Sequence, residues 1–496
     1  MGIGNSIVDR FPYPSPRKGQ REILESLETN WDNYDVFVCI CPTSFGKTAI
    51  MKTIMNWKYS VSATTPNNLL VDQFIQEFPN TPTLRRLDSY KCEEWDRPCS
   101  VTRGKLRNFC SVRRGCSVDC IASADLARAK YRRGPGIYNY HIHMAHKLYR
   151  EVVCVDECHN AERIIQDQLA IIIWQHDYKY PHNMYKHEHI RKWIESLSQQ
   201  KKAHKKIQLL NETVSSSRPY YVVIRTTEEF NGKGTKRGEP ELRDCLKLFP
   251  VDISNAPQYL WSGLGYGGDT KKLVLLSATV NAVDIAELGL SNKRVLYLHA
   301  SSPIPAKQRP VVLLNTASLS YNDLQLDKVV TELEGIMDYH SNEKGVIHVT
   351  YQIAQRIRDK FTKSSARRLL FHTAEDKRDI YQSFRNSRDP VVLVACGMYE
   401  GIDLPDDLGR WQAIAKCPWK SLGDPAISYK AKENVDWYNW STLRDLIQAC
   451  GRICRHEKDY GISYILDSTT NRLLNDGKHL IPQWFHEALE AGKQLT

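Results

Sequence analysis

Short runs of β-branched and other apolar residues recur along the chain, each closing on a polar loop. They are Val36–Cys41, Val152–Val155, Leu273–Leu276, Gly345–Val349, Val391–Ala395 and Ile462–Leu466. An apolar run without polar alternation is the pattern of a strand covered on both faces. Helical periodicity appears over Gln20–Glu28, Thr48–Tyr59, Ile353–Phe361 and Leu443–Cys450. Strands alternating with helices predict an α/β protein with parallel sheets, because parallel neighbours need a long crossover. Two regions break the rhythm and read as insertions. Residues 88–135 are rich in Cys and Arg, and residues 165–218 are rich in His, Lys and Gln with a helical stretch from His187 to Asn211. The segment Ser301-Ser302-Pro303-Ile304-Pro305 is linker-like and marks a boundary between two halves.

Charge changes the picture next. The 496 residues carry a formal net charge of +11 with a pI near 8.9, which favours a polyanionic partner through release of phosphate counterions. No apolar run reaches the length of a membrane span, and residues 1–10 lack the charged and apolar regions of an export signal. The expected location is therefore the cytoplasm, or the nucleus of a eukaryotic cell. Fourteen cysteines are present. Without export they are expected as thiols, and the five at Cys92, Cys99, Cys110, Cys116 and Cys120 read as a metal site.

The strand at 36–40 runs into Cys41-Pro42-Thr43-Ser44-Phe45-Gly46-Lys47-Thr48 and then a helix, the context of a phosphate-binding loop. The loop Pro42–Thr48 would surround phosphate oxygens through its backbone N–H groups from Thr43 onward, Lys47 would reach the β- and γ-phosphates, and Thr48 would ligate Mg²⁺. The strand at 152–155 ends in Asp156-Glu157-Cys158-His159. Asp156 would hold the same ion, and Glu157 would activate the attacking water. Far downstream, Gln448-Ala449-Cys450-Gly451-Arg452-Ile453-Cys454-Arg455 places two arginines three apart. On a helix that spacing puts both guanidiniums on one face, where they could reach across to a nucleotide held by the other half.

With these residues in hand the chain resembles superfamily 2 helicases, in particular the iron–sulfur branch typified by DinG and XPD. Pro16 to Ile23 is similar to the segment that precedes the family's phosphate loop, and Thr65 to Gln73 to motif Ia. Asp156 to Asn160 resembles the DEAH-Asn box, with Cys where Ala is usual. Leu276-Ser277-Ala278-Thr279 resembles motif III, Glu400 to Pro405 motif V, and Gln448 to Arg455 motif VI. The resemblance implies two RecA-like domains with ATP between them. Lys47, Thr48, Asp156 and Glu157 would come from the first domain, and Gln448, Arg452 and Arg455 from the second. It places Asp403 near the ribose or the bound strand, assigns His159 and Thr279 to coupling ATP state to domain closure, and makes Gln20 a candidate adenine or phosphate contact. It also implies translocation on single-stranded DNA in the 5′-to-3′ sense.

The domain order expected on this basis is a first RecA-like domain in three pieces (1–87, 138–164 and 219–300). A Cys-rich insertion at 88–137 and a small helical arch-like insertion at 165–218 interrupt it, and a second RecA-like domain spans 301–496. The resemblance implies a [4Fe–4S] cluster on four of the five clustered cysteines, with Cys92, Cys110, Cys116 and Cys120 preferred. Zn²⁺ on the same thiolates is the alternative. Basic residues from Arg103 to Arg133, interleaved with Phe109 and Tyr131, suit backbone contact and base stacking. The expected partner is single-stranded or forked DNA, RNA remaining open, and no membrane. Two rivals stand beside an ATP-driven DNA helicase: a translocase or RNA remodeller that opens no DNA duplex, and a non-catalytic nucleic-acid-binding protein.

Overall fold

The computed structural model describes residues 6–86, 89–92, 97–98, 121–131, 134–174, 192–193, 196, 221–230, 241–254, 260–264, 269–320, 323–399 and 402–495. Two six-stranded parallel sheets organise them. The first contains β1 (Val36–Ile40), β2 (Val61–Thr65), β3 (Gly136–Asn139), β4 (Val152–Asp156), β8 (Lys272–Ser277) and β9 (Val295–His299), in the order β9-β1-β8-β4-β2-β3. Strand β1 is buried along its whole length, but its side chains still alternate. Phe37 and Cys39 enter one core with Ile50, Ile54 and Leu276, while Val36, Val38 and Ile40 enter another with Val153, Val155 and Leu275. Both faces are apolar because helices cover both.

The second sheet contains β10 (Val311–Ala317), β11 (Gly345–Val349), β12 (Leu369–Phe371), β13 (Val392–Cys396), β14 (Trp411–Ile414) and β15 (Ile462–Asp467), in the order β10-β15-β14-β11-β13-β12. The change of sheet falls between His299 and Val311, where the linker-like segment lies. A shared apolar cluster joins the halves: Ala278, just past β8, packs with Ile414, Trp440, Leu443 and Ile447.

Between β4 and β8 the chain leaves the first sheet. Strands β5 (Ile171–Trp174), β6 (Tyr221–Phe230) and β7 (Glu241–Pro250) form a separate antiparallel sheet in the order β5-β7-β6. This differs from the expectation of a helical insertion ending at 218. Strand β7 pairs with β5 through residues 245–248 and with β6 along its whole length, and the main sheet resumes at Lys272. The helical stretch expected at 187–211 falls almost wholly outside the described residues. So do Cys99, Cys110, Cys116 and Cys120, and of Cys92 only the backbone is described, in a two-residue strand at Lys91–Cys92. The described cysteines at 39, 41, 154, 158, 245, 396, 417, 450 and 454 are all thiols. No helix among the described residues is long and apolar enough to cross a membrane.

Candidate nucleotide site

Five helices frame the site: α1 (Lys18–Asn30), α2 (Lys47–Trp57), α3 (Ala161–Leu169), α4 (Ala282–Glu287) and, in the second half, α6 (Val435–Cys450), which follows α5 (Pro425–Glu433). At the end of β1 the chain turns through Pro42–Gly46 into α2. Two residues of the turn have positive φ, Ser44 at 65° and Gly46 at 89°. Gly46 needs its missing side chain twice over, because a Cβ there would meet Gln20 Nε2 at 2.5 Å. The Gln20 amide is the brace of the loop. Its Nε2 donates to the Phe45 carbonyl at 2.8 Å, and its Oε1 accepts from the Arg17 amide at 3.0 Å. Gln20 thus acts here through the loop backbone. The Phe45 ring packs beside Gly19 of α1, which leaves that residue's backbone as its contribution to the loop. The first amides of α2, at Lys47 and Thr48, have no partner within the helix, as at any helix start, and that end carries the positive pole of the dipole.

Lys47 Nζ lies 3.0 Å from Glu157 Oε1. Burial works against its charge, but Glu157 and Asp156 outweigh it and hold the ammonium protonated beyond its ordinary range. Glu157 has the opposite balance. Burial favours the neutral acid, yet Lys47, His159 and Arg452 keep the carboxyl below the usual carboxylate range. Asp156 is pushed up to about 7, first by burial and then by the Glu157 charge. Its Oδ1 is buried without a hydrogen-bond partner. An orphaned carboxylate oxygen near Lys47 and Glu157 fits a divalent cation, which would supply the partner that the protein withholds.

From Glu157 a polar chain runs into the other half. His159 Nδ1 lies 3.4 Å from Glu157 Oε2 and 2.8 Å from Ser277 Oγ. The Asn160 side-chain amide nitrogen lies 3.0 Å from His159 Nε2, so both ring nitrogens are held by neighbours. The Thr279 amide donates to the same Ser277 Oγ at 3.1 Å. Gln448 Nε2 then donates to Thr279 Oγ1 at 2.8 Å, and Arg452 Nη2 donates to Gln448 Oε1 at 2.9 Å. Gly451 sits over the phosphate loop, where a Cβ would lie 3.2 Å from Thr43 Cγ2.

One expectation is corrected here. Arg452 and Arg455 do not share a helical face, because α6 ends at Cys450 with Gly451 as its C-cap. Both arginines lie past the helix end. Arg452 folds back, its Nε donating to the Gln448 carbonyl at 3.0 Å. Arg455 donates to the Gly451 carbonyl at 3.0 Å and ion-pairs with Asp403, which brings that aspartate to motif VI. Glu400 and Gly401 lie outside the described residues. Ser277 and Asn160 are members of the polar chain that motif reading alone did not single out as site residues. Their signal was their place inside the quoted motifs, beside Thr279 and His159.

Residues 335–488 match the family model described as the helicase C-terminal domain. Over 105 residues the chain is 34% identical to the regulator of telomere elongation helicase 1 homolog of Drosophila persimilis, covering 18% of this chain and 10% of that protein. Over 133 residues it is 33% identical to the Drosophila willistoni homolog, covering 24% and 13%. The chain matches only about a tenth of the length of these curated relatives. Among solved structures it is similar to an apo XPD, with a TM-score of 0.56, 13% identity and coverage of 94% of this chain and 98% of that one. It is also similar to Xpd4 of S. tokodaii, with a TM-score of 0.54, 13% identity and coverage of 93% and 97%. At that identity the likeness is one of fold.

Proposed function

We propose that the chain belongs with the superfamily 2 helicases of the DinG/XPD type, a reading supported by its match to the helicase C-terminal domain and by a two-sheet fold similar to that of XPD, and that it is an ATP-driven helicase acting on DNA. It moves along a single strand, 5′ to 3′, and separates duplex ahead of it, in the cytoplasm or in the nucleus of a eukaryotic cell. The observation that carries the reading is the unbroken polar chain from Lys47 and Glu157, through His159, Ser277, Thr279 and Gln448, to Arg452. A motor needs its hydrolytic groups to sense whether two domains are closed, and this chain joins them.

In this mechanism the loop Pro42–Gly46 and the first amides of α2 bind the β- and γ-phosphates, with Lys47 neutralising their charge. Thr48 and Asp156 would hold Mg²⁺, which would supply positive charge against the phosphates. Glu157, kept ionised by Lys47, orients and deprotonates the attacking water. Arg452 and Arg455, delivered from the other half, stabilise the transferring phosphoryl group. Closing and reopening around each nucleotide steps the halves along the strand.

The clustered thiols Cys92, Cys99, Cys110, Cys116 and Cys120 form a donor set suited to a [4Fe–4S] cluster on four of them. Anaerobic preparation should give visible absorbance and about four irons per chain. Zinc without iron would assign them to a tetrahedral zinc site instead.

The test of function is ATP turnover with single-stranded DNA, single-stranded RNA or neither, alongside unwinding of a DNA fork with a 5′ overhang. DNA-stimulated turnover with unwinding is expected. Stimulation by RNA alone would favour an RNA remodeller. Binding without turnover would leave a nucleic-acid-binding protein.

A further inference from the structure

A second set of contacts ties the halves together through residues outside the motifs. Glu162 stands in the first turn of α3, directly after the Asp156–Asn160 segment, and Glu287 closes α4. Both carboxylates ion-pair with the ammonium of Lys430 in α5, and all three side chains are about nine-tenths buried. Glu162 also accepts from Trp437 Nε1 at 3.2 Å, and Lys430 Nζ lies 4.4 Å from the centre of the Trp437 ring. Beside them Asp284 accepts from Trp440 Nε1 at 2.7 Å and from Arg444 Nη1 at 2.9 Å. A cavity of about 440 Å³ opens alongside, walled by Glu162, Lys430, Trp437 and Arg444.

Trp437, Trp440 and Arg444 all belong to α6, the helix whose far end carries Gln448 and the Gly451 cap. Sixteen residues of helix make a lever roughly 24 Å long. One end is held by carboxylates of the first half, and the other presents Arg452 to the nucleotide. The hold is not balanced. Two carboxylates share one ammonium where little water reaches, and Asp252 lies on the same side. Burial and the Glu162 charge push the Glu287 carboxyl up to about 7.

We propose that Glu162, Glu287 and Lys430 form an interdomain latch that positions α6, and through it Arg452, so that Lys430 sets how readily the halves close for ATP. The proposal rests on the motor reading above. Lys430→Met leaves two carboxylates buried against each other and favours the open form. When only a fraction of molecules is competent, apparent affinity falls by that fraction, so KM for ATP should rise about tenfold. At saturating ATP the nucleotide itself drives closure, and kcat should stay within about twofold. Lys430→Arg, which keeps the charge, should restore most of the lost affinity. Glu287→Gln acts in the other direction, because the Glu162–Lys430 pair that remains is neutral, and KM should fall below the wild-type value.

A merely structural role would move KM the same way in both variants. Opposite shifts support the latch. An unchanged KM in a folded Lys430→Met, or shifts of the same sign, overturns it. If Lys430→Met does not fold, Glu287→Gln decides alone, and a KM at or above wild type overturns the latch. A wild-type chain without ATPase activity, or full turnover in Lys47→Ala, would instead defeat the motor reading, so the two failures are distinguishable.

Discussion

Glu157 has a left-handed backbone, φ 48° and ψ 48°, a conformation that costs a residue with a Cβ about 1–3 kcal/mol. The strain is retained where it turns the carboxyl toward Lys47. Glu157→Gln keeps the shape and removes the base. ATP turnover should fall on the order of 10²–10⁴-fold while nucleotide binding, read by titration, persists. Undiminished turnover would place the base elsewhere. Asp156 gives a prediction about pH. Its folded carboxyl holds a proton up to about 7, whereas its ordinary value is 3.8. Between those limits the unfolded chain binds fewer protons than the folded one, so stability falls as pH rises. Without divalent cation, the melting temperature should drop across that window, and added Mg²⁺ should offset the drop. Asp156→Asn should remove Asp156's share of the slope. A slope identical in the variant would mean that another group carries it.

At the scale of elements, the phosphate loop depends on α1 as much as on its own residues. Gln20→Ala leaves the Phe45 carbonyl and the Arg17 amide without their partner. A buried polar group left unpaired costs about 1–3 kcal/mol, so the melting temperature should fall and KM for ATP should rise. A change in neither would show that the loop holds its form unaided. The strands that lead into chemistry were readable because apolar runs end abruptly at polar turns: Val36–Ile40 before the loop, Val152–Asp156 before Glu157, Lys272–Ser277 before Thr279. Others were not. Val61–Thr65 is buried throughout, but it is written Val-Ser-Ala-Thr-Thr, so its burial rests on hydrogen bonds such as that from Thr64 Oγ1 to the Cys154 carbonyl. Val295–His299 is an edge strand with half-exposed positions. The motif residues declared themselves by spacing, but the end of α6 did not. Gly451 caps the helix and turns Arg452 back onto Gln448, which the three-residue interval cannot convey. Lys430 and its two carboxylates are more than 140 positions apart in sequence, and only the fold brings them together.

At the scale of the molecule, the question is how strand binding on one surface reaches the phosphates. Besides the carboxylate contacts at the start of α6, two routes cross between the halves along it, among the described residues. One is apolar, Ala278 among Trp440, Leu443 and Ile447. The other is polar, Thr279 to Gln448 to Arg452. The apolar contact resists separation but reads no change in the nucleotide, because it involves neither Glu157 nor His159. The polar route does both, since Ser277 answers to His159 and to the Thr279 amide. Gln448→Ala cuts that route and leaves the apolar one intact. The halves should still meet, so ATP binding and the slow turnover without nucleic acid should change little. The acceleration caused by a single strand should be lost, because closure no longer places Arg452 against the phosphates. The ratio of turnover with and without single-stranded DNA is the measurement. A ratio equal to wild type would mean that strand binding reaches the site through the packed core or the carboxylate contacts of α6 rather than through its last polar side chain.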